Sequence, residues 1–327
     1  MSTPFLPRRR LLAAFLLAPA APLAALAAGF PERPVEWVVP YAAGGGTDVV
    51  ARVLAEPMGK ALGQAIVVTN KPGAATNIGA DAVARAKPDG YTMLTGDTGT
   101  LAANQYLYAK LTYNAEKDFA PVGLLVRFPM LLVVNSQLPI KSYAEFQAWV
   151  KAQPSGAVYG TPGAGSPHHL AAELLRVRSG LNFIHAPYRG AAPAVQDVVA
   201  GQIPFMFVDT ASGLQHVQGG KIRAIGVASP KRLSMLKDVA TLDEQGLKGF
   251  EAYAWQGVVV PAATPKDRVD ILAKALHSAL TAPEAKARLE GMGLEITPSS
   301  PEAMSAYAHA ERAKWSQVIK ASNIKLD

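Results

Sequence analysis

Residues 35–52 decide the fold: Val35-Glu36-Trp37-Val38-Val39-Pro40-Tyr41-Ala42-Ala43-Gly44-Gly45-Gly46-Thr47-Asp48-Val49-Val50-Ala51-Arg52. An apolar, β-rich run is followed by a glycine turn, and a helical pattern opens at Thr47-Asp48. The same order recurs along the chain. The later β-rich runs are Tyr91–Thr95, Ala157–Tyr159, Asn182–His185 and Ile203–Val208. Strands that alternate with helices at this spacing predict an α/β fold with largely parallel sheets.

Two segments of the chain repeat this unit most closely. A strand, a glycine-rich turn and a helix occupy residues 35–60 and again residues 157–178. We therefore expect two similar halves that present matching loops to each other. The space between such loops is a cleft.

Length and composition limit the possible classes of protein. The 327 residues favour two domains of about 150 residues each. Half of the residues are hydrophobic and 17% are charged, which is typical of a globular protein. Cysteine is absent, and this excludes disulfides, thiolate nucleophiles and Cys-ligated zinc.

The net charge is +7, but three of the positive charges are Arg8, Arg9 and Arg10 near the N-terminus. Without them 29 basic residues face 25 acidic ones, a balance of +4, and no basic run remains. Nucleic-acid binding is therefore not expected.

The first 27 residues have the pattern of an export signal. The three arginines precede an apolar stretch from Leu11 to Leu17, and Ala25-Leu26-Ala27 fits a signal-peptidase site. Pro19 and Pro22 interrupt the stretch, which argues against a membrane anchor. We expect an exported protein whose signal peptide, residues 1–27, is removed.

Common catalytic and cofactor motifs are missing from the sequence. There is no Gly-x-Ser-x-Gly elbow, no phosphate-binding P-loop and no Gly-x-Gly-x-x-Gly fingerprint. His168 and His169 are adjacent, so on a helix they point about 100° apart and do not form a metal pair. We expect no cofactor and no metal. The glycine loops lead into helix N-termini, whose free N–H groups bind carboxylates or phosphates.

A series of ordered motifs resembles the Bug family, the extracytoplasmic receptors of tripartite tricarboxylate transporters. The first is Pro40–Arg52, and the resemblance extends over nearly all of the chain after the export signal. The further motifs are Asn70–Gly73, Asn77–Gly79, Pro88–Thr92, Lys117–Val122, Tyr159–His169, Pro187–Gly190, Gly201-Gln202 and Lys314-Trp315.

This resemblance implies a two-lobed periplasmic binding protein of type II, with a ligand cleft between the lobes. Domain I would comprise residues 28–126 plus 252–327, and domain II residues 127–251. The ligand-binding residues are then expected at Tyr41, Gly44, Gly45, Gly46, Thr47, Asp48, Asp97, Thr98, Thr100, Gly163, Ala164, Gly165, Ser166, His169, Tyr188 and Asp209.

Asp97 departs from the Thr or Ser that is more usual at this place in the family. Two interpretations stay open. Asp97 either faces the cleft, where it repels a second carboxylate or attracts an ammonium or hydroxyl group, or it caps the next helix. Trp255 and Phe205 are further candidates for the cleft wall or for the core.

The resemblance also implies a non-catalytic role. The expected ligand is a small di- or tricarboxylate, amino acid or aromatic acid, and the expected partners are membrane permease subunits of a tripartite tricarboxylate transporter. A monomer is the default for a receptor that opens and closes. Two alternatives remain: a ligand-binding partner of a membrane sensor kinase, and a periplasmic hydrolase that uses Ser166 with His168 or His169.

Overall fold

The computed structural model describes residues 29–326 of the chain, so the predicted signal peptide lies outside the described residues. The strands are β1 (Val35–Val39), β2 (Ile66–Asn70), β3 (Thr92–Asp97), β4 (Phe119–Asn135), β5 (Ala157–Thr161), β6 (Phe183–Pro187), β7 (Phe205–Asp209), β8 (Ile222–Val227), β9 (Tyr253–Pro261) and β10 (Glu295–Ile296). The α-helices are α1 (Gly46–Leu62), α2 (Asn77–Ala84), α3 (Asn104–Leu107), α4 (Tyr143–Lys151), α5 (Pro167–Ser179), α6 (Ala191–Val199), α7 (Thr210–Gln218), α8 (Lys266–Thr281), α9 (Pro283–Gly291) and α10 (Pro301–Ser322).

The strands form one continuous, mixed sheet in the order β2-β1-β3-β9-β4-β7-β5-β6. β1, β2 and β3 run parallel, and so do β5, β6 and β7, as the alternation of strands and helices predicts. The centre of the sheet differs from the prediction, because β9 pairs antiparallel with both β3 and β4. A strand that returns from a distant part of the chain carries no local signal of its direction.

The long strand β4 changes partners along its length. Residues Phe119–Pro129 pair with β9, whereas residues Met130–Val134 pair with β7 and residues Leu131–Asn135 with β8. The sheet therefore consists of two halves that meet near Pro129 and Met130. Each half contains one of the two strand–loop–helix units found in the sequence.

Local sequence signals set most of the helix starts. The side chains of Ser142, Ser166 and Ser300 each accept a hydrogen bond from the backbone N–H three residues later, and so cap α4, α5 and α10. A proline inside a helix usually kinks or breaks it, but α1 continues through Pro57 to Leu62. Leu54 and Met58, on either side of Pro57, are completely buried, so packing keeps both turns of this helix in place.

Two of the three clusters of buried side chains belong to separate halves of the sheet, and the third spans both. In one cluster, side chains of α1 and α8 pack on the half of the sheet that contains β1. In the second cluster, side chains of α6 pack on the half that contains β7. The shared cluster includes Trp315 of α10, a helix that contacts both α5 and β4. α10 thus joins the two halves on one side of the sheet.

No helix among residues 29–326 is long and apolar enough to cross a membrane. Within the same range, no group of acidic or histidine side chains is arranged to hold a metal ion.

Candidate functional site

A cavity of about 660 Å³ lies where the two halves of the sheet meet. The loops that follow β1, β3, β5 and β7 all reach it, as expected for a ligand site at the carboxyl ends of strands. Eleven of the sixteen predicted site residues line its wall. These are Tyr41, Gly44, Gly46, Thr47, Asp97, Thr98, Gly163, Ala164, Gly165, Ser166 and Asp209.

The N-terminus of α1 forms one side of the cavity. Its N-cap is Gly45, and no side chain caps the first turn, unlike in α4, α5, α7 and α10. The backbone N–H groups of Gly46, Thr47 and Asp48 therefore have no side-chain acceptor. A helix end in this state carries a partial positive charge and binds an anion well.

Asp48 organises this loop and does not line the cavity. Its carboxylate accepts hydrogen bonds from the Gly44 N–H at 2.8 Å, the Asn70 side chain at 2.8 Å and the Arg52 guanidinium at 2.9 Å. Burial alone would raise the pKa of Asp48, but these hydrogen bonds lower it to about 2. The carboxylate therefore stays ionised and holds the glycine turn against β2.

The side chains between the first loop and β9 form a hydrogen-bonded wall. The Thr47 hydroxyl accepts a bond of 2.7 Å from Gln256 Nε2, and the Tyr41 hydroxyl donates to the Asp97 carboxylate. Asp97 also accepts the Thr100 N–H at 2.8 Å. Asp97 thus lines the cavity and also caps the following turn.

The second loop, Gly163–Ser166, faces the cavity from the other half of the sheet. Ser166 caps α5, so its hydroxyl accepts from the His169 N–H at 3.3 Å. Gly165 has φ +74°, and a Cβ atom there would lie 2.7 Å from Leu326 Cδ1 and 2.9 Å from Leu107 Cδ1. Only glycine combines this conformation with such close packing.

His168, not His169, faces the cavity. His168 Nε2 lies 2.9 Å from the Asp209 carboxylate, and Asp209 also accepts from both the N–H and the hydroxyl of Ser212 at 2.9 Å. Burial alone would raise the pKa of Asp209, but the hydrogen bonds from His168 and Ser212 lower it. His168 Nδ1 is buried and has no hydrogen-bond partner in the described structure.

His169 instead supports the second loop from behind. Its ring stacks on His185, with the centroids 3.9 Å apart, and its Nδ1 accepts the Gly165 N–H at 3.0 Å. Burial and the neighbouring His185 lower the pKa of His169 to about 4, and burial also lowers that of His185. A neutral His169 is required, because a protonated Nδ1 cannot accept the Gly165 hydrogen bond.

The buried histidine pair predicts that the protein loses stability in weak acid. His169 binds a proton near pH 6.5 when the chain is unfolded but only near pH 4 when it is folded. The unfolded state therefore takes up protons first as the pH falls from 6.5 to 4, and His169 alone costs about 3 kcal/mol over this window. Urea unfolding at several pH values measures this. His169→Asn keeps an acceptor for Gly165 and should flatten the dependence; an unchanged slope contradicts the assignment.

Five of the predicted residues do not line the cavity. Gly45 is exposed to solvent, whereas Asp48 and His169 hold the two loops from behind. Thr100 pairs with the Thr76 hydroxyl at 2.8 Å. The Tyr188 hydroxyl donates to Asp197 at 2.7 Å. Burial, and to a smaller extent this hydrogen bond, raises the pKa of Tyr188 to about 12.

The sequence reasoning missed several residues that the fold brings to the cavity. Trp255, considered as a candidate there, lines the wall, whereas Phe205 belongs entirely to the core. The missed residues include Phe128, Gln256, Ser212, Met292 and Leu326. Leu326 arrives with the C-terminal tail, whose Leu326 N–H donates to the Leu107 carbonyl at 3.0 Å.

The family model of the tripartite tricarboxylate transporter family receptor matches residues 50–324. The chain belongs to this receptor family, the Bug family. A curated relative, the UPF0065 protein in the tcbD-tcbE intergenic region of Pseudomonas sp. (strain P51), is 35% identical over 95% of this chain and 94% of its own length. The receptor is 38% identical to the solved periplasmic binding protein BugD, with a TM-score of 0.79 over 91% of this chain and all of BugD.

Two further solved relatives contain a ligand. Rpa4515 of R. palustris, with adipate, is 32% identical with a TM-score of 0.82 over 91% of this receptor and all of that chain. MatC of Rhodopseudomonas palustris, with bound malate, is 34% identical with a TM-score of 0.78 over 89% of this receptor and all of that chain. The two-lobed periplasmic binding fold with a cleft is therefore confirmed.

These relatives are solute-binding receptors and not enzymes, and the receptor is likewise not an enzyme. The geometry agrees with this. In the hydrolase alternative Ser166 would need a histidine ring as its base, but its hydroxyl caps α5 through the His169 backbone.

Proposed function

We propose that this receptor captures a small carboxylate in the periplasm by clamshell closure and delivers it to the permease subunits of a tripartite tricarboxylate transporter. The observation that carries the proposal is the uncapped N-terminus of α1, which faces the loop Gly163–Ser166 across one cavity. The adipate of Rpa4515 and the malate of MatC support the same ligand chemistry.

The carboxylate would bind the N–H groups of Gly46, Thr47 and Asp48. The Thr47 hydroxyl accepts its hydrogen bond from Gln256, so its own proton is free to point at the same anion. No Lys or Arg of the described part of the chain lines the cavity, and backbone N–H groups together with the helix dipole would supply the positive potential.

Closure would bring the second loop onto the ligand. We place the lobes at residues 28–126 plus 252–327 and at residues 127–251, and the change of partners within β4 supports this division. A ligand that contacts both loops stabilises the closed state, because the open state offers only one of them. The monomeric state is part of the proposal, since each lobe must move freely.

A thermal-shift and calorimetry screen tests the proposal. The purified protein is unfolded and refolded to remove any bound ligand and is then mixed with mono-, di- and tricarboxylates, amino acids and aromatic acids. A ligand at 100 times its Kd adds about 2.7 kcal/mol of stability, which raises the Tm by about 4 °C. The corresponding neutral amides serve as controls and should leave the Tm unchanged. If no carboxylate shifts the Tm, the proposal is wrong.

A further inference from the structure

The cavity wall has an unusual balance of charge for a site that takes an anion. Among residues 29–326, the carboxylates of Asp97 and Asp209 line it, and no Lys or Arg does. The acidic side chains of this wall therefore add negative charge, and backbone N–H groups at the helix ends supply attraction for an anion.

The two carboxylates have different partners. Asp209 lies against His168, and its oxygens also accept from Ser212. Asp97 is 5% exposed and accepts from the Tyr41 hydroxyl and the Thr100 N–H. No lysine, arginine or histidine among residues 29–326 forms an ion pair with Asp97.

Asp97 affects the pKa of its neighbour Tyr41. Burial raises the pKa of Tyr41 well above its usual value, and the charge and hydrogen bond of Asp97 raise it further. A buried carboxylate without a cation is costly unless a counter-charge is supplied. A positively charged ligand group beside Asp97 would therefore supply the counter-charge that no side chain of residues 29–326 supplies through an ion pair.

A second acceptor lies beside Asp97. Gln256 is opposite Asp97 in the pairing of β3 with β9, and both residues line the cavity. Gln256 Nε2 is used by Thr47, but Gln256 Oε1 is buried without a hydrogen-bond partner, in a residue that is 5% exposed. An unpaired buried acceptor next to a carboxylate that has no ion-pair partner is complementary to a cationic group that donates several hydrogen bonds.

We propose that the ligand is an amino carboxylate whose ammonium group binds Asp97 and Gln256 while its carboxylate binds the N-terminus of α1. This inference rests on the proposed function and narrows its ligand class. An ammonium supplies both the missing cation and the donors. A hydroxyl group supplies donors without charge, and a second carboxylate at this place meets Asp97 as a like charge.

The test is a calorimetric comparison of four acids with the same five-carbon chain: pentanoate, 2-aminopentanoate, 5-aminopentanoate and pentanedioate. One of the two amino acids should bind about tenfold or more tightly than both pentanoate and pentanedioate. The identity of the tighter one indicates the distance between the carboxylate site at α1 and the ammonium site at Asp97. Asp97→Asn should reduce the affinity ratio of this amino acid to the other two acids about tenfold. It should also strengthen the binding of pentanedioate.

Asp81→Asn is the matched control, because it removes the same charge from an ion pair with Arg85 outside the cavity. It should leave the preference unchanged. Asp97→Ser keeps an oxygen that can cap Thr100 and provides a second variant if Asp97→Asn does not fold. The proposal is overturned if pentanedioate binds the wild type most tightly, or if both Asp97 variants keep the preference or weaken all four acids equally. Binding of pentanedioate would leave the proposed function standing, whereas the absence of any carboxylate binding would contradict both.

Discussion

Gly46→Leu should reduce ligand affinity by about a hundredfold or more and leave the fold intact, because the new side chain occupies the place proposed for the carboxylate. Gly46 lines the cavity at the first turn of α1, and a Cβ atom there would lie 3.7 Å from the Phe128 ring. That contact is tolerable, so a methyl group fits. We expect the remaining atoms of leucine to extend into the cavity that Gly46 lines. Isothermal calorimetry with the best acid from the screen measures the loss.

The adjacent residue provides the control for this prediction. Gly45 is exposed and does not line the cavity, and a Cβ atom there meets only the Ala42 carbonyl oxygen, at 3.6 Å. Gly45→Leu should therefore bind the ligand within about threefold of the wild type and have a similar Tm. Equal affinities for the two variants would show that the N-terminus of α1 is not the carboxylate site.

Trp315→Ala should lower the free energy of unfolding by about 3–5 kcal/mol, the usual cost of removing a buried tryptophan. Trp315 is fully buried in the core cluster that spans both halves of the sheet. Its indole N–H donates to Glu311 at 2.8 Å, and the same oxygen accepts from Trp255 at 3.1 Å. Urea unfolding of the ligand-free protein measures the change.

Two further variants of α10 make this prediction specific. Trp315→Phe keeps most of the buried ring and removes one hydrogen bond to Glu311, so it should cost about 1–2 kcal/mol. Gln317→Ala replaces an exposed side chain on the same helix and should change stability by less than about 0.5 kcal/mol. A similar loss in all three variants would contradict the assignment of the effect to the packing of Trp315 across the sheet.

The sequence predicted the features that depend on neighbouring residues. The strand–glycine–helix units at residues 35–60 and 157–178 were found, because each is set by a few consecutive residues. The two loops were also predicted to face one cleft, and both line the same cavity.

The side of the helix on which each histidine lies was not predictable in this way. His168 and His169 are neighbours on α5, and stacking with His185 and Tyr159 turns His169 into the core. His168 then faces the cavity. Neither outcome has a local signal, because the residues that decide it lie on other strands. Gln256 reaches Thr47 across 209 positions of the chain for the same reason.

The position of Leu326 has a practical consequence for handling the protein. This side chain lines the ligand cavity, and its backbone N–H is bonded to Leu107. A purification tag or a fluorescent reporter joined to the chain shortly after Leu326 would thus begin near this cavity. Affinities measured with such a fusion would include the behaviour of the tag, so a cleavable tag is needed for calorimetry. The same proximity makes this end of the chain a suitable place for an environment-sensitive dye that reports occupancy.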